Sequence, residues 1–548
     1  MRKIAVFSKS TLALALGLVC SACGRRETPV EAGNRLQVLH LGNSSEPQDL
    51  DPHIVTGVTE HNIIAALLEG LVAEDPVSLK PVPGTAGSWD ISADARVYTF
   101  HLRENAKWSN GDPVTAQDFR FSFQRILSPR LGSPYAYMLF CLESAEAYNK
   151  GQIADFNEVG VRAEDDHKLV LTLNEPVPYF LSLLNHYSWF PVHSATILRF
   201  GAPDELGSRW TAPGNFVGNG PFTLTEWIPG KKISVVKNDK YWDAGTARLS
   251  AIHFYPIGDH KIEERAFRAG QLHVTGTVPI DRVDYYRQNR PDLLRLDPYL
   301  GCYYYLFNVR REPLDKLEVR RALAMAINRE QIVKYVTKGG EEPAYHFTPP
   351  DTAGYTARAR LPYDEERARE LLAAAGYPGG SGFPRLTLLY NTSDAHARIA
   401  QAVQQMWENA LGVEIELLNM EWKVYLASCQ EGSYDIARAG WIGDYVDPNS
   451  FLDMWVTGGG NNRAGWSDAG YDALITEAVA ASDPAKRLES FQEAEKILMR
   501  EAPIVPIYFY RSKSLIQPSV RGWHPTLLDH HPYKHVYLES SGPPSAAP

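Results

Sequence analysis

Arg385-Leu-Thr-Leu-Leu-Tyr390 is an apolar run of strand length, and the residues that follow it decide the fold class. Asn391-Thr-Ser-Asp394 is a polar cluster suited to cap a helix, and apolar residues recur at helical spacing from there to Trp407. Val413-Glu-Ile-Glu-Leu417 is the next predicted strand. A strand, a helix and a second strand in this order form the crossover unit of a parallel sheet.

Strands and helices alternate along the rest of the chain in the same way. Val97-Tyr-Thr-Phe-His-Leu102 alternates as a half-buried strand does. Thr115-Ala-Gln-Asp118 has the pattern of a capping box and predicts the start of a helix. Asp364 and Gly376 bracket another helix, as an N-terminal cap and a C-terminal glycine. This alternation favours an α/β architecture.

Length and composition limit the possible functions. A chain of 548 residues is too long for one core and predicts roughly three or four domain-sized units. Hydrophobic residues make up 44% and charged residues 22% of the sequence, which excludes a mostly disordered chain. The net charge of -10 is spread along the chain and argues against nucleic acid as a partner.

The first residues have the layout of an export signal. Arg2 and Lys3 give a basic start, residues 11–19 form a short apolar core, and small residues precede Cys23. This layout resembles a bacterial lipoprotein signal, in which the cysteine is lipidated and becomes the mature N-terminus. Cys20 departs from that pattern, because a leucine is usual there. We expect an extracytoplasmic protein anchored to a membrane through Cys23, and a plain secretory signal is the alternative.

The remaining cysteines and the known catalytic motifs point to no enzyme. Cys141, Cys302 and Cys429 would stay in the exported chain, and their spacing matches no metal site. The sequence has no His-Glu-x-x-His zinc motif and no Gly-x-Ser-x-Gly nucleophile elbow. We therefore predict no metal site, no cofactor and no catalytic residue. With 16 histidines and many acidic residues, a catalytic pair stays open on counting alone.

Arg438-Ala-Gly-Trp-Ile-Gly-Asp444 is the segment that carries most information about function. Its two ends have opposite charges, its glycines let a ligand backbone approach closely, and its tryptophan offers an apolar wall. A ligand with separated positive and negative ends, such as a free peptide, suits this arrangement. The alternative is a structural ion pair on a glycine-rich loop.

Several segments, spread in order from Leu39 to Leu538, resemble one known family. They are Leu50-Asp-Pro-His53, Tyr98-Thr-Phe-His-Leu-Arg103, Pro113-Val-Thr-Ala-Gln-Asp-Phe119, Glu175-Pro-Val-Pro-Tyr-Phe180, Leu389-Tyr-Asn-Thr-Ser-Asp394, Ala437-Arg-Ala-Gly-Trp441 and Ile504-Val-Pro-Ile507. The chain is similar to the bacterial extracellular solute-binding proteins of family 5, the peptide and nickel class (cluster C) of ABC transporters. The order and length of these segments make the resemblance specific.

The resemblance implies an α/β fold of the two-lobed periplasmic-binding-protein type II, which closes like a flytrap and has an additional third domain. Two chain crossings between domains I and III would form the hinge. The implied organisation is a signal peptide at 1–22, a lipidated tether at 23–33, domain I at 34–68 plus 195–300 plus 512–540, domain II at 69–194, domain III at 301–511, and a disordered tail at 541–548.

The resemblance also implies the binding residues. Asp444 matches an aspartate that holds the peptide α-amino group, and Arg438 and His396 match cationic positions that serve the far carboxylate of peptides of different lengths. The other implied cleft residues are Gly440, Trp441, Tyr135, Trp422, Tyr510, Tyr304 and Val58.

Three positions depart from the family pattern. Thr56 stands where a glutamate is expected, and Thr337, with Lys338 beside it, stands where a lysine is expected. Ile442 replaces one cysteine of a cleft disulfide, and Cys302 lies one place from the other, so we expect that disulfide to be missing.

The function implied by the resemblance is capture of short oligopeptides in extended form and their delivery to the inner-membrane subunits of an ABC permease. We expect a monomer. The alternatives are an exported peptidase or hydrolase, and capture of a murein tripeptide, haem or a nickel chelate on the same fold.

Overall fold

The computed structural model describes residues 27–481 and 483–539. The predicted signal peptide, Cys23 and the predicted tail at 541–548 therefore lie outside the described residues. Within those ranges, no helix combines the length and the apolar character needed to cross a membrane. The same residues contain no group of three or more His, Cys, Asp or Glu side chains that could hold a metal ion.

The largest sheet has six strands and contains the predicted crossover unit. In spatial order the strands are Glu342–Pro343, Ile504–Leu515, Leu294–Phe307, Ile436–Ile442, Leu386–Asn391 and Ile415–Met420. The last two pair in parallel, from Leu386 opposite Ile415 to Asn391 opposite Met420, and helix Asp394–Leu411 connects them. The helix buries Ile399, Val403 and Trp407, so this part of the sequence-based prediction is confirmed.

Two long strands connect this sheet to the rest of the molecule. Leu294–Phe307 and Ile504–Leu515 pair antiparallel from Leu294 opposite Leu515 to Leu306 opposite Ile504. Their register shifts between Pro298 and Cys302. The predicted domain boundaries at 300/301 and 511/512 fall inside these strands, near that shift.

A second sheet joins residues from distant parts of the chain. Its four strands, in spatial order, are Val38–Gly42, Ala251–Tyr255, Lys232–Lys237 and Phe222–Ile228. Helix Pro29–Leu36 precedes the first strand and begins with a capping box between Thr28 and Glu31. The predicted tether at 23–33 is therefore too long, because the capped helix begins the folded part before residue 34.

A third sheet is antiparallel, with strand order Ala86–Ile91, Val97–Leu102, Lys168–Thr172 and Val161–Asp165. Helix Ala116–Ile126 begins after Thr115, as predicted, and the Thr115 amide donates to the Asp118 carboxylate at 2.9 Å. Arg125 near the end of this helix forms a buried two-point ion pair with Asp51, at 2.9 and 2.5 Å.

The remaining elements surround these three sheets. The other α-helices of four or more residues are Val58–Leu67, Ala145–Asn149, Phe180–Leu183, Ser194–Phe200, His260–Arg268, Val283–Asn289, Leu317–Met325, Glu365–Ala374, Trp422–Glu431, Asn449–Leu452, Ala469–Ala480 and Pro484–Glu501. The short paired strands are Val72–Glu74 with Pro81–Pro83, and Val520–Arg521 with Tyr537–Leu538.

Candidate binding cleft

The segment with the opposite charges is a strand with one free edge. Ile436–Ile442 pairs along its whole length with Leu294–Phe307 on one side. On the other side it pairs with Leu386–Asn391 only at Ile436 and Ala437. Beyond Ala437, no strand of the described residues lies along that edge. We name residues 438–442 the open edge; its backbone groups can pair with an added extended chain.

Gly440 lies on the open edge and is exposed. A Cβ at this position would lie 2.5 Å from the Tyr510 hydroxyl and 3.3 Å from Nη2 of Arg438. A side chain would therefore disturb the contact between those two groups, which explains physically why a glycine suits this position.

Asp444 follows the open edge, and its side chain is only 9% exposed. Its Oδ1 accepts a hydrogen bond from the Tyr135 hydroxyl at 3.3 Å and lies 3.4 Å from Nε2 of His186. No lysine or arginine of the described chain forms an ion pair with it. Burial raises the pKa of Asp444 to about 8, because the ionised carboxylate has lost water without gaining a cation.

The histidines around Asp444 have opposite ionisation tendencies. Burial lowers the pKa of His186 to about 3, so the ring that touches Asp444 is neutral. Burial alone would lower the pKa of His530, but the Glu74 carboxylate raises it above its ordinary value. Nδ1 of His530 lies 3.0 Å from Glu74. His530 thus has Glu74 as its hydrogen-bonded partner and acts on Asp444 only through a weaker charge interaction, so Asp444 keeps the capacity to bind an external ammonium group.

Arg438 is held by neutral groups. Its Nη2 donates to the Tyr510 hydroxyl at 2.7 Å, its Nη1 donates to Asn391 at 3.3 Å, and its guanidinium lies 4.7 Å from the centre of the Tyr303 ring. It forms no ion pair with any carboxylate of the described residues, and its buried Nε has no partner there. The structural ion pair considered as the alternative is therefore not formed: Arg438 and Asp444 are separately available to a ligand.

His396 contacts the same Tyr303 ring as Arg438 does. Its ring is 5.6 Å from that of Tyr303. Burial, followed by the charges of Arg438 and His260, lowers the pKa of His396 well below its ordinary value. Its Nδ1 is buried and without a partner among the described residues, so a neutral His396 can still offer a hydrogen bond to a ligand.

Tyr304 is placed away from Arg438. It packs edge-on against Phe347 and Trp455, with ring centres 5.0 and 5.8 Å apart. Its neighbour Tyr303 is the ring that contacts Arg438, because successive residues of a strand point to opposite faces of the sheet.

The aromatic residues Tyr135 and Trp441 line the cleft together, with ring centres 6.4 Å apart. Trp441 donates from Nε1 to the Ser450 carbonyl at 2.6 Å, which fixes its indole near Asp444. Tyr135 is buried and comes from the part of the chain assigned to domain II. Asp444, Tyr135 and Trp441 are thus brought to one place.

Val58 and Trp422 lie near the contact between the two predicted lobes. Val58 is the first residue of helix Val58–Leu67, whose first backbone amides have no acceptor within the helix. A Cβ on the preceding Gly57 would lie 3.4 Å from Cζ2 of Trp422. This contact brings a predicted first-lobe segment against a predicted second-lobe helix.

The positions that depart from the family pattern have their own contacts. Thr337 donates to Glu341 at 2.8 Å, and Lys338 is exposed. The Cys302 thiol is free, and the residue opposite Cys302 is Trp441, whereas Ile442 faces Gly301.

Sequence reasoning missed several cleft residues. No short sequence motif marks Tyr303, Tyr425, His186 or Arg463 as cleft residues. They come near the open edge only because the fold brings together segments that are separate in the sequence. The Tyr425 hydroxyl donates to the carbonyl of Arg438, and Nη2 of Arg463 donates to Thr56 at 3.4 Å. The one usable signal was the alternation in 303–305, which puts Tyr303 and Tyr304 on opposite faces.

Comparison with known proteins decides the family. The sequence model of the bacterial extracellular solute-binding proteins, family 5 (middle region), matches residues 80–463, which is more than half of the chain. The chain belongs to solute-binding protein family 5. The sequence-based prediction of the family and of its α/β fold is thereby confirmed.

Characterised members of family 5 are similar along nearly the whole chain. The periplasmic oligopeptide-binding protein OppA of Escherichia coli is 39% identical over 508 residues, covering 89% of this chain and 90% of OppA. The crystal structure of Haemophilus influenzae OppA in complex with RPPGFSPFR is 33% identical, covers 92% of this chain and 99% of its own, and superimposes with a TM-score of 0.86.

A family 5 structure with a different conformation superimposes less well. The unliganded open form of the periplasmic murein tripeptide binding protein MppA is 37% identical and covers 92% of this chain and 97% of its own, with a TM-score of 0.61. The arrangement of this chain is therefore nearer to that of the ligand complex, although the open protein is closer in sequence.

Proposed function

We propose that this family 5 protein is an extracytoplasmic receptor that captures short peptides in extended form and delivers them to an ABC-type permease. The observation that carries the proposal is the open edge, residues 438–442, with Arg438 at one end and Asp444 just beyond the other. A free peptide has the matching features, which are a row of amide groups and two oppositely charged ends.

The open edge supplies affinity that does not depend on the peptide sequence. Backbone groups pair with backbone groups in the manner of strand addition, whatever side chains the peptide carries. Gly440 leaves room for this approach, because it has no side chain over the exposed edge. Tyr135 and Trp441 would cover the first residues of the peptide.

The charged groups set the register of the peptide. The ammonium end pairs with Asp444, which lacks a lysine or arginine partner in the described part of the chain. The carboxylate end pairs with Arg438, or with the adjacent His396 for a peptide of another length. Each contact is charge-assisted and desolvated, and so contributes more than a neutral hydrogen bond.

The two long strands that connect the lobes would allow the lobes to close on the peptide. The hinge would lie where Leu294–Phe307 changes register against Ile504–Leu515, between Pro298 and Cys302. Closing brings Thr56 and Gly57 of domain I against Arg463 and Trp422 of domain III.

Calorimetric titration with tri-alanine tests the proposal. The protein is first unfolded and refolded to remove any carried ligand. We expect binding of tri-alanine, and much weaker binding of its N-acetylated and C-amidated forms. Equal binding of all three forms would contradict recognition of both charged ends.

Two alternatives have different outcomes in solution. A peptidase would convert a tetrapeptide to fragments, whereas a receptor returns it intact, as mass spectrometry of the mixture will show. A murein tripeptide, the ligand named for the relative MppA, is tested by competition against tri-alanine, and exclusive binding of the murein peptide would narrow the ligand class.

The location of the protein is tested at Cys23, which lies outside the described residues. We propose that Cys23 is lipidated and holds the protein on a membrane, with a monomeric receptor domain outside the cytoplasm. The Cys23→Ala variant should move to the soluble fraction. Its retention in the membrane fraction would contradict the lipid anchor.

A further inference from the structure

Arg463 is a second cleft arginine without a carboxylate partner. Its Nη2 donates to the Thr56 hydroxyl at 3.4 Å, which is a long contact to a neutral group. Its Nε is buried and has no partner in the described part of the chain. A guanidinium has five N–H donors, so most of the hydrogen-bonding capacity of Arg463 is unused by the protein.

Arg463 is half-buried, and four buried arginines in the described residues have a carboxylate or backbone carbonyl acceptor, although Nη2 of Arg329 and Nε of Arg487 also lack a partner. Arg125 and Arg487 each form two-point ion pairs with an aspartate. Arg320 and Arg329 donate to backbone carbonyls. Arg463 therefore differs from these four arginines and resembles Arg438, which also has no carboxylate or backbone carbonyl acceptor.

The two cleft arginines lie near each other but serve different faces of the open edge. Burial raises the pKa of the Cys429 thiol, and the nearby charges of both Arg463 and Arg438 oppose that rise. Arg438 contacts Tyr303, whereas the charge of Arg463 acts more strongly than that of Arg438 on Tyr304. Tyr303 and Tyr304 point to opposite faces of the sheet.

An extended ligand paired with the open edge has the same alternation. Side chains on one side of the ligand would face Arg438, and side chains on the other side would face Arg463. Thr56, which closes over Arg463, is neutral and leaves the guanidinium charge uncompensated. A glutamate here, as the family resemblance implied, would have supplied the missing carboxylate.

We propose that Arg463 forms a second anion subsite, which binds a carboxylate that the ligand carries in addition to its C-terminal one. The protein then favours peptides with an acidic side chain. This inference rests on the proposed function, since it needs a peptide paired with the open edge.

Matched peptides test the inference directly. Calorimetry compares three pairs: Glu-Ala-Ala with Gln-Ala-Ala, Ala-Glu-Ala with Ala-Gln-Ala, and Ala-Ala-Glu with Ala-Ala-Gln. Each pair differs by one charge and almost nothing in shape. We expect at least one glutamate peptide to bind about tenfold more tightly than its glutamine partner, as one charge-assisted contact requires.

Two variants locate the effect at Arg463. Arg463→Met removes the guanidinium, and Thr56→Glu supplies a carboxylate beside it from the other lobe. Each should reduce the glutamate-to-glutamine ratio to about one while the glutamine peptides still bind. Because the variants alter different lobes, failure of one to fold leaves the other as a test.

The outcomes distinguish failure of this inference from failure of the proposed peptide-binding function. Absence of binding by every peptide would contradict the proposed function. Binding with glutamate-to-glutamine ratios of one in the wild-type protein would contradict only the second subsite. An equal loss for both members of every pair in Arg463→Met would assign Arg463 to the C-terminal carboxylate and would also overturn the inference.

Discussion

Replacement of Asp444 by asparagine should weaken peptide binding through loss of a single charge. Asparagine keeps the shape of the side chain and its contact with Tyr135, but it cannot pair with an ammonium group. The pKa of Asp444 rises from 3.8 to about 8, which at about 1.36 kcal/mol per pH unit corresponds to roughly 6 kcal/mol against the ionised form.

The peptide ammonium group offsets that cost and adds its own attraction. Truncating one partner of a buried charge pair costs about 2–5 kcal/mol. The dissociation constant of tri-alanine for Asp444→Asn should therefore rise by about 30-fold to about 5,000-fold. Calorimetry at pH 7.5 measures this change, with refolded protein to exclude carried ligand.

N-acetyl tri-alanine completes a thermodynamic cycle with this variant. Acetylation should weaken binding to the wild-type protein by a similar factor and should have little further effect on Asp444→Asn, since both changes break one contact. Asp453→Asn is the matched control, because Asp453 is half-buried nearby and already accepts a hydrogen bond from Asn449 at 2.9 Å. Additive losses from acetylation and from Asp444→Asn would refute the assignment of this carboxylate.

Three further predictions concern closure, the open edge and the attachment of domain II. The raised pKa of Asp444 favours lobe closure without ligand at acid pH, and this contribution is lost between about pH 4 and pH 8. Small-angle scattering of ligand-free protein should thus give a smaller radius of gyration at pH 5 than at pH 8. Gly440→Ala should weaken tri-alanine binding by calorimetry, because the added methyl would lie 2.5 Å from the Tyr510 hydroxyl, while the melting temperature stays nearly unchanged. Asp51→Ala should lower the free energy of unfolding in urea by about 3–5 kcal/mol, because it leaves the Arg125 guanidinium buried without its partner.

The fold was predictable wherever the signal was local. The structure places three neighbouring elements within a few residues of their expected bounds: the strand Leu386–Asn391, the capped helix that follows it and the strand Ile415–Met420. Thr115 and Asp118 also specify their helix start without help from distant residues. The predicted tether was too long because the capping box at Thr28 was not recognised in the sequence.

The candidate cleft was predictable only in part. Asp444, Tyr135 and Trp441 lie together in the structure, and only the family resemblance, not a local pattern, singled out these positions. Tyr304 was expected in the cleft, yet the register of its strand turns Tyr303 toward Arg438. That register depends on pairing between segments more than 100 residues apart, which spacing along the chain does not reveal.

The open edge at 438–442 also has a consequence for the protein without its ligand. A strand with unpaired amide groups and little side-chain protection is a template for association with other chains. Here the edge lies in the cleft beside Tyr135, whose ring packs against Trp441, so lobe closure limits the approach of a second chain. Lobe opening exposes it, so storage of concentrated ligand-free protein should produce more aggregate than storage of the same protein with bound peptide.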